Sequence, residues 1–495
     1  MKLLRTMNPP GEYRSLANSA RVLFAIALCS GLAVGQMQTD QSSSYSAPSS
    51  SSELSGTSQS PFSGSVPEGK ATGEVLPISF KDAIDRALRN NLGLLIGSDN
   101  LLVARGQKWK ELSSLLPNVS FAATQSVSRV DLAELGFRGT LIPGLPLVIG
   151  PFGFFDARFN VSAPIFDWQR IQRERGARAN EAAAHYTYQS ARELVVLATG
   201  NAYLLTIASA ARVDAAQAQA ETAQALSNRA HDQLAAGVVP AIDALRAQVE
   251  FQTREQQLIA ARNDYAKEKL ELARIIGLPP GQEFNPTDKA PYEPLAPMSI
   301  ETALQRAYAS RSDYQAAILQ VLSAEKFRSA ATAEHYPSLQ MSGNDGFGGV
   351  NIGNSNNVYD IGVTLAIPIF AGGRAHADAL QAEATLRQSR QQLENLRGQI
   401  DYEVRAALLD LNSAADEVTV AKQNLDLANQ TLEQARDRFT AGVTDNLEVV
   451  QAQDSVAAAN ESYIASLYAH NVAKVELARA IGFAEQGVKQ YLERH

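Results

Sequence analysis

One cysteine, two tryptophans and six scattered histidines stand in a chain of 495 residues, and each scarcity removes a class of chemistry. Cys29 is the single thiol and lies in an apolar run near the N-terminus, so the rest of the chain has no disulfide, thiolate metal site or cysteine nucleophile. His185, His231, His335, His376, His470 and His495 form no His-x-x-x-His pair. No phosphate-loop or Gly-x-Ser-x-Gly pattern appears. The glycine cluster Gly343, Gly346, Gly348, Gly349 and Gly353 misses dinucleotide spacing. These absences argue against an enzyme and imply no cofactor and no metal. Nowhere are there the roughly 18 uninterrupted apolar residues of a spanning helix, so any membrane span must be built from strands. Basic residues are also outnumbered, 44 Lys and Arg against 52 Asp and Glu, and a nucleic-acid partner would want a basic face.

Residues 1–35 have the form of a secretory signal. Lys2, Arg5, Arg14 and Arg21 make a basic start, Val22 to Leu32 an apolar core, and Ala33-Val34-Gly35 a small-x-small cleavage pattern. A buried N-terminal helix is the other reading of this stretch, and Met7 is a second candidate start. Leu28 precedes Cys29 where a lipoprotein signal would carry a small residue, so lipid anchoring is not expected. The segment carries a net +3 out of −8 for the whole chain, which leaves −11 on the remainder. Residues 36–74 are serine-rich and too poor in apolar groups to pack, which predicts a disordered linker.

Beyond the linker the chain repeats itself. Pro77-Ile78-Ser79 opens an amphipathic segment, and Met298-Ser299-Ile300 opens its partner 220 positions later; Pro117 and Pro337 keep that offset. Pro164-Ile165-Phe166 matches Pro368-Ile369-Phe370 at 204. Ala236-Gly237-Val238 matches Ala441-Gly442-Val443, and Leu272-Ala273-Arg274 matches Leu477-Ala478-Arg479, both at 205. Ordered matches at nearly constant offset mark two tandem copies of one unit, residues 75–280 and 298–485. A proline-rich linker, 281–297, is expected between them and a short tail, 486–495, after them. The fall in offset places an insertion around Gly136 to Gly153 in the first copy, whose Gly/Pro content predicts a long loop between two strands.

Each copy predicts two long helices. From Arg374 to Ala441 there is no proline, and the only glycine is Gly398; a continuous helix there would be roughly 100 Å long. Val404, Ala407, Leu411, Ala414, Val418, Ala421, Leu425, Ala428, Leu432, Ala435 and Phe439 alternate steps of three and four, the seam of a coiled coil. Every second seam position is alanine, and the first copy answers with Ala202, Ser209, Ala216, Ala223 and Ala230, all small. Gly237 and Gly442 suit the left-handed position that ends a helix, and Pro240 the start of the next. Ala241 to Ile276 and Leu447 to Ile481 are again helical. Each copy therefore folds as a helical hairpin with a tight tip, a pattern an ordinary soluble coiled coil would share.

Each copy also predicts two strands. Tyr359, Ile361, Val363, Leu365 and Ile367 alternate with small or polar residues, as do Phe155, Ala157, Phe159, Val161 and Ala163. Val119 to Val127 and Leu339 to Gly349 are their weaker partners. The runs have about the 9–11 residues of a tilted spanning strand, although a soluble half-buried sheet alternates in the same way. Four strands cannot close a membrane barrel, which takes about eight, and open edges are not tolerated in lipid. If these strands span a membrane, several chains must pool them.

The duplicated order helix, strand, strand, long helix, tip, helix resembles the TolC-like outer-membrane efflux protein family across roughly residues 75 to 485. So do Gly372-Gly373-Arg374 after Pro-Ile-Phe, the two Ala-Gly-Val tips, and the pairs Ala247-Gln248 and Ala452-Gln453. The resemblance implies a mainly α fold with a small β part, and a homotrimer. Three chains give four strands each to a twelve-stranded barrel in outer-membrane lipid, and their helices form a tube through the periplasm. An inner-membrane transporter and a periplasmic adaptor feed such a duct, and cargo passes chemically unchanged. It further implies adaptor docking at Ala236, Gly237, Val238, Ala441, Gly442 and Val443, and a pore constriction at Asp243, Glu448 and Gln451. Gln451 stands where better-known members carry a second aspartate, and Phe439 where some carry a latch tyrosine. Asp445-Asn446-Leu447-Glu448 also has the form of a helix capping box, a role compatible with facing a pore. The rival reading is a periplasmic coiled-coil adaptor, which would need one helical hairpin inside small β-domains.

Overall fold

The computed structural model describes residues 61–134, 146–288, 292–296, 298–441, 443–444, 446–485 and 487. The secretory signal, residues 36–60 of the serine-rich linker, Gly442, Asp445 and the tail beyond 487 lie outside the described residues. The first copy runs α1 (Phe80–Asn90), α2 (Leu92–Ser113), β2 (Asn118–Asp131), β3 (Val148–Phe166), α3 (Trp168–Ala235) and α4 (Ala241–Ile276). The second runs α5 (Ile300–Ser310), α6 (Ser312–Thr332), β5 (Ser338–Asn351), β6 (Asn354–Ala366), α7 (Arg374–Thr440) and α8 (Asn446–Ala480). Two short strands, β1 (Leu76–Ile78) and β4 (Phe284–Pro286), pair in parallel.

Local chemistry sets these boundaries. Ser79 caps α1 by accepting from the Asp82 N–H, and the Asp82 carboxylate accepts from the Ser79 N–H in return, so two otherwise orphaned donors are satisfied. Ser299 caps α5 in the same way through the Thr302 N–H. Asp167 caps α3 from the Arg170 N–H at 3.0 Å, while α7 starts after Gly372 and Gly373, both at positive φ. Both hairpins end on Gly277 and Gly482, again at positive φ. There the N–H of Leu278 bonds the Ala273 carbonyl, and that of Phe483 the Ala478 carbonyl, a closure available to a left-handed glycine.

The seam on α7 is realised along its length. Val404, Ala407, Leu411, Ala414, Val418, Ala421 and Ala435 are buried, and Leu425, Ala428, Leu432 and Phe439 half-buried, with most residues between them exposed. Ser209, Ala223 and Ala230 are buried in the first copy. A leucine at Ala421 would force the axes apart, at about 1–3 kcal/mol. A core forms in each copy where its short first helix meets its long pair, with Val475 and Ala478 of α8 joining the first. Ala83, Ala87, Leu272 and Ile276 pack there in one, and Ala303, Ala307, Leu477 and Ile481 at the matching positions of the other. Helix α3 holds one stretch with a mean hydropathy of 1.6, enough on composition to cross a membrane, but 56% of it is buried within the chain. Val195, Val196, Leu204 and Ile207 are its core contribution.

Three expectations need correction. Residues 61–74, assigned to the disordered linker, lie against the helices: Phe62 packs on the first core, the Val66 N–H bonds the Asn90 carbonyl and the Leu92 N–H the Gly64 carbonyl. Glu68 N–H to the Gly277 carbonyl and Thr72 N–H to Gln282 add to these, so contacts from distant residues hold a stretch whose composition alone would not pack. Residues 281–297, read as a linker, contain β4, which β1 recruits from more than 200 positions away. The inserted stretch is not all loop either. Val148 to Gly153 belongs to β3, because Val148, Ile149, Phe152 and Gly153 find partners in Asp131, Val130, Ser128 and Val127 across the hairpin.

The sheet β2-β3-β5-β6 is antiparallel throughout. Register aligns Ser120, Asn160, Asn344 and Asp360 on one face and Phe121, Phe159, Asp345 and Tyr359 on the other, which is otherwise mainly apolar. On the polar face Arg158 pairs with Asp156 at 2.6 Å and donates to Asn344 at 3.2 Å. Gly346 belongs to this packing, since a Cβ there would collide with the backbone of Ala157 and Arg158. The apolar face is bare. Phe121, Phe159, Tyr359, Ile361, Val363 and Leu365 are all exposed, Ile361 at 75%, and the rings of Phe121 and Phe159 touch at 4.8 Å.

Candidate functional site at the hairpin tips

Helices α3 and α4 meet at the first tip. Ala236 is still helical, Gly237 takes φ +72°, and the turn closes through Val238 N–H to the Gln233 carbonyl and Gly237 N–H to the Leu234 carbonyl, both 2.9 Å. A side chain at Gly237 would meet open space, so the strain of its φ, rather than crowding, selects glycine there. The second tip repeats the long bond: Val443 N–H to the Arg438 carbonyl at 3.0 Å, with Ala441 N–H to Asp437. Because the turn absorbs the last carbonyls internally, it can push its apolar residues into solvent. Val238 is 70% and Val443 69% exposed; Ala236, Gly237 and Ala441 are exposed with them.

The three polar positions behind the tips have separate surroundings. Asp243, in the first turn of α4, is half-buried and 3.5 Å from Arg246. Glu448, in the first turn of α8, accepts from the Arg438 guanidinium at 2.9 Å and from the Thr444 hydroxyl. It therefore staples α8 to the last turn of α7. The capping box read in the sequence rests on Asp445, which lies outside the described residues. Gln451 is exposed one turn further along. Phe439 is half-buried against Ala435, Val449 and Ala452, so it serves as a core side chain of the second tip. Leu226 of α3 joins the same cluster, which sets the two hairpins side by side near their tips.

Sequence reading missed two charged groups that fasten the hairpins. Arg254 on α4 is buried, bonds Glu250 at 2.6 Å and Gln257 at 3.0 Å, and reaches Asp454 on α8. The Glu250–Arg254 spacing is visible in the sequence as a helical ion pair, but the Asp454 link is not. Nearer the sheet, Arg311 is 1% exposed at the junction of α5 and α6. Its guanidinium bonds both Asp313 oxygens at 3.0 and 2.6 Å and Glu403 on α7 at 2.5 Å. Arg479 on α8 adds contacts of 3.4 Å to Asp313 and to Glu193 of α3. Burial alone would raise Asp313, but the Arg311 guanidinium, with Arg479 behind it, holds it below the usual carboxylate range. Burial raises Glu193, which Arg479 and the Ser312 hydroxyl only partly offset. No cluster of three or more His, Cys, Asp or Glu side chains able to hold a metal occurs among the described residues.

The family model described as outer membrane efflux protein matches residues 83–278 and 303–483, one span per copy. The outer membrane efflux protein BepC of Brucella suis biovar 1 is 24% identical over 432 residues, covering 85% of this chain and 88% of that one. The outer membrane protein TolC of Salmonella enteritidis is 22% identical over 347 residues, 66% of this chain and 68% of that one. Among solved structures, the outer membrane protein VceC of Vibrio cholerae shares the fold with a TM-score of 0.70 at 19% identity, covering 81% of this chain and 96% of that one. With two family spans that coincide with the two copies found in its sequence, this chain belongs to the outer membrane efflux protein family.

Proposed function

We propose that three copies of this chain form an outer-membrane exit duct for an efflux or secretion pump, through which cargo passes without chemical change. The observation that carries this reading is the bare apolar face of the sheet. A soluble half-buried sheet covers its apolar face; here Phe121, Phe159, Tyr359, Ile361, Val363 and Leu365 are left exposed on it. Lipid is the solvent that such a face requires. The outer strands β2 and β6 each have one neighbour, and lipid does not tolerate an unpaired edge, so further copies must complete the wall. Twelve strands from three copies make a closed barrel.

The helices support the same assembly. On α4 the exposed residues Ile242, Leu245, Val249, Ile259 and Leu270, and on α7 Tyr402, Leu409, Val420 and Leu427, fall at coiled-coil spacing away from the intramolecular seams. Joined to each other between copies, they would close a helical tube below the barrel. The tips Ala236, Gly237 and Val238, with Ala441, Gly442 and Val443, then present apolar knobs to a periplasmic adaptor, which hands over cargo from an inner-membrane transporter. Asp243, Glu448 and Gln451 become rings under three-fold symmetry and constrict the bore. The chain performs no catalysis in this role. A free-standing periplasmic adaptor has no use for a bare apolar sheet face. Reconstitution of the purified chain tests the proposal: a three-copy particle that conducts ions across a planar bilayer is expected, and a lipid-free soluble monomer overturns it.

A further inference from the structure

Beneath the segment that joins the two copies is a pocket of about 340 Å³, remote from the tips and from the sheet. Its His470 end lies roughly 33 Å along α8 from Glu448. The walls are apolar: Leu295 and Met298 from the joining segment, Leu408 and Leu411 from α7, Leu477 and Ile481 from α8. One end is cationic. His470 and Lys474, one turn apart on α8, line it together with Arg405 and Asn412 of α7.

Among the described residues neither base has a hydrogen-bond or ion-pair partner. His470 is fully buried, and among the described residues neither ring nitrogen has a hydrogen-bond partner. Its one aromatic neighbour is Tyr292, whose ring lies 5.1 Å away. Lys474 is 4% exposed, and no carboxylate of the described residues lies within ion-pair distance of it. Burial, with Lys474 adding to it, pushes His470 down to about 4. Burial also lowers Lys474, against the weaker pull of Glu293. Arg405, by contrast, already has Asp401 at 2.8 Å. Buried charges and imidazoles without partners are disfavoured, so holding two on one face of a pocket suits a ligand that supplies the missing acceptor.

We propose that this pocket binds a small amphipathic monoanion, with its carboxylate on Lys474 and His470 and its hydrocarbon tail between Leu408, Leu477 and Ile481. A single negative charge matches one ammonium, and the neutral imidazole can add one N–H donor. A phosphate dianion would leave surplus charge buried among leucines. The site is formed within one chain, so it stands or falls independently of the channel reading.

Hexanoate, hexan-1-ol and inorganic phosphate are titrated calorimetrically against the full chain in a detergent-free peptidisc. Hexanoate is expected to bind at least about tenfold more tightly than the alcohol or phosphate, a factor equivalent to about 1.4 kcal/mol. Lys474→Met should bring hexanoate down to the level of the alcohol, Lys474→Arg should restore most of the difference, and His470→Phe should weaken the acid more than the alcohol. Thermal unfolding of each variant confirms that the fold persists, and Lys474→Gln replaces the methionine variant if that one does not fold. The proposal is overturned by equal binding of acid and alcohol, by tighter binding of phosphate, by unchanged hexanoate affinity in Lys474→Met, or by no saturable hexanoate binding up to roughly 10 mM, the weak end at which a specific site of this kind would still register.

Discussion

Ile361→Arg separates a lipid-facing sheet from a water-facing one more sharply than any other single change. Ile361 sits near the middle of β6, 75% exposed, with Tyr359 and Val363 flanking it on the same face. In water, an arginine at so open a position would move stability by no more than about 0.5 kcal/mol. At the midplane of a bilayer each arginine on the lipid face costs about 2–4 kcal/mol. Three copies raise that to roughly 6–12 kcal/mol per assembly, comparable with the whole stability of many domains, about 5–15 kcal/mol. Thr364→Arg is the control, since register with Gln340 puts Thr364 on the opposite, polar face of the same strand. Both variants are followed by urea titration of chain refolded into lipid vesicles, and by recovery of heat-modifiable oligomer from outer-membrane fractions. Ile361→Arg should lose folded oligomer while Thr364→Arg keeps it. Equal recovery of the two would refute the argument that the bare apolar face is dissolved in lipid.

Five further outcomes follow from the tips and the buried charges. Asp243→Ala combined with Glu448→Ala should raise single-channel conductance and weaken block by divalent cations; conductance and block that stay at wild-type values would remove these residues from the constriction. Glu448→Ala alone also releases Arg438 from its 2.9 Å partner, so it should shift ion preference toward anions in reversal-potential measurements. Val238→Asp with Val443→Asp should abolish pump-dependent efflux while oligomers still reach the membrane, and normal efflux by that variant would place adaptor contact elsewhere. Asp313→Asn should cost about 3 kcal/mol at neutral pH, because Arg311 is then buried with only part of its compensation. The pH window has a definite sign. A carboxyl held below its ordinary value of 3.8 contributes fully above that value, and its contribution disappears as pH falls through the depressed one. Glu193, shifted upward by burial, acts oppositely: the native state loses stability as pH rises from 4.5 through its folded value. Glu193→Gln should therefore be neutral or stabilising at pH 8 in chemical denaturation, and a large loss there would contradict the assignment.

Much of the helical architecture was legible because its signals are local. Helix α4 runs over the residues expected of it, since Pro240 opens it and Gly277, at positive φ, closes it. The α7 seam could be read from a pattern that persists for five heptads, and its column of small residues recurs in the other copy at a constant offset. The tips were legible for the same reason, a glycine required by the backbone between two periodic runs. The extension of β3 to Val148 was not, because Gly150, Pro151 and Gly153 are the residues that ordinarily announce a loop, and only pairing with Val127 to Asp131 makes a strand of them. Nor was the packing of residues 61–74, where Phe62 finds a core supplied by helices that start well downstream. At Glu448 the residue was found from its position, but its partner was not, since Arg438 comes within reach only once the tip has turned.

By itself the sequence determined the long helices and where they stop, the body of the four sheet strands, that the unit occurs twice, and that the sheet has one mainly apolar and one polar face. These are matters of period, capping and composition, and they depend on residues within a few turns of one another. Tertiary structure alone decided that β4 pairs with β1, and that Arg311 gathers Asp313 and Glu403 while Arg479 carries the network on to Glu193. It likewise decided that His470 and Lys474 share a pocket with the leucines of another helix. Those outcomes depend on groups separated by tens to hundreds of positions, and no periodicity in a chain encodes which distant side chain will arrive opposite a given one.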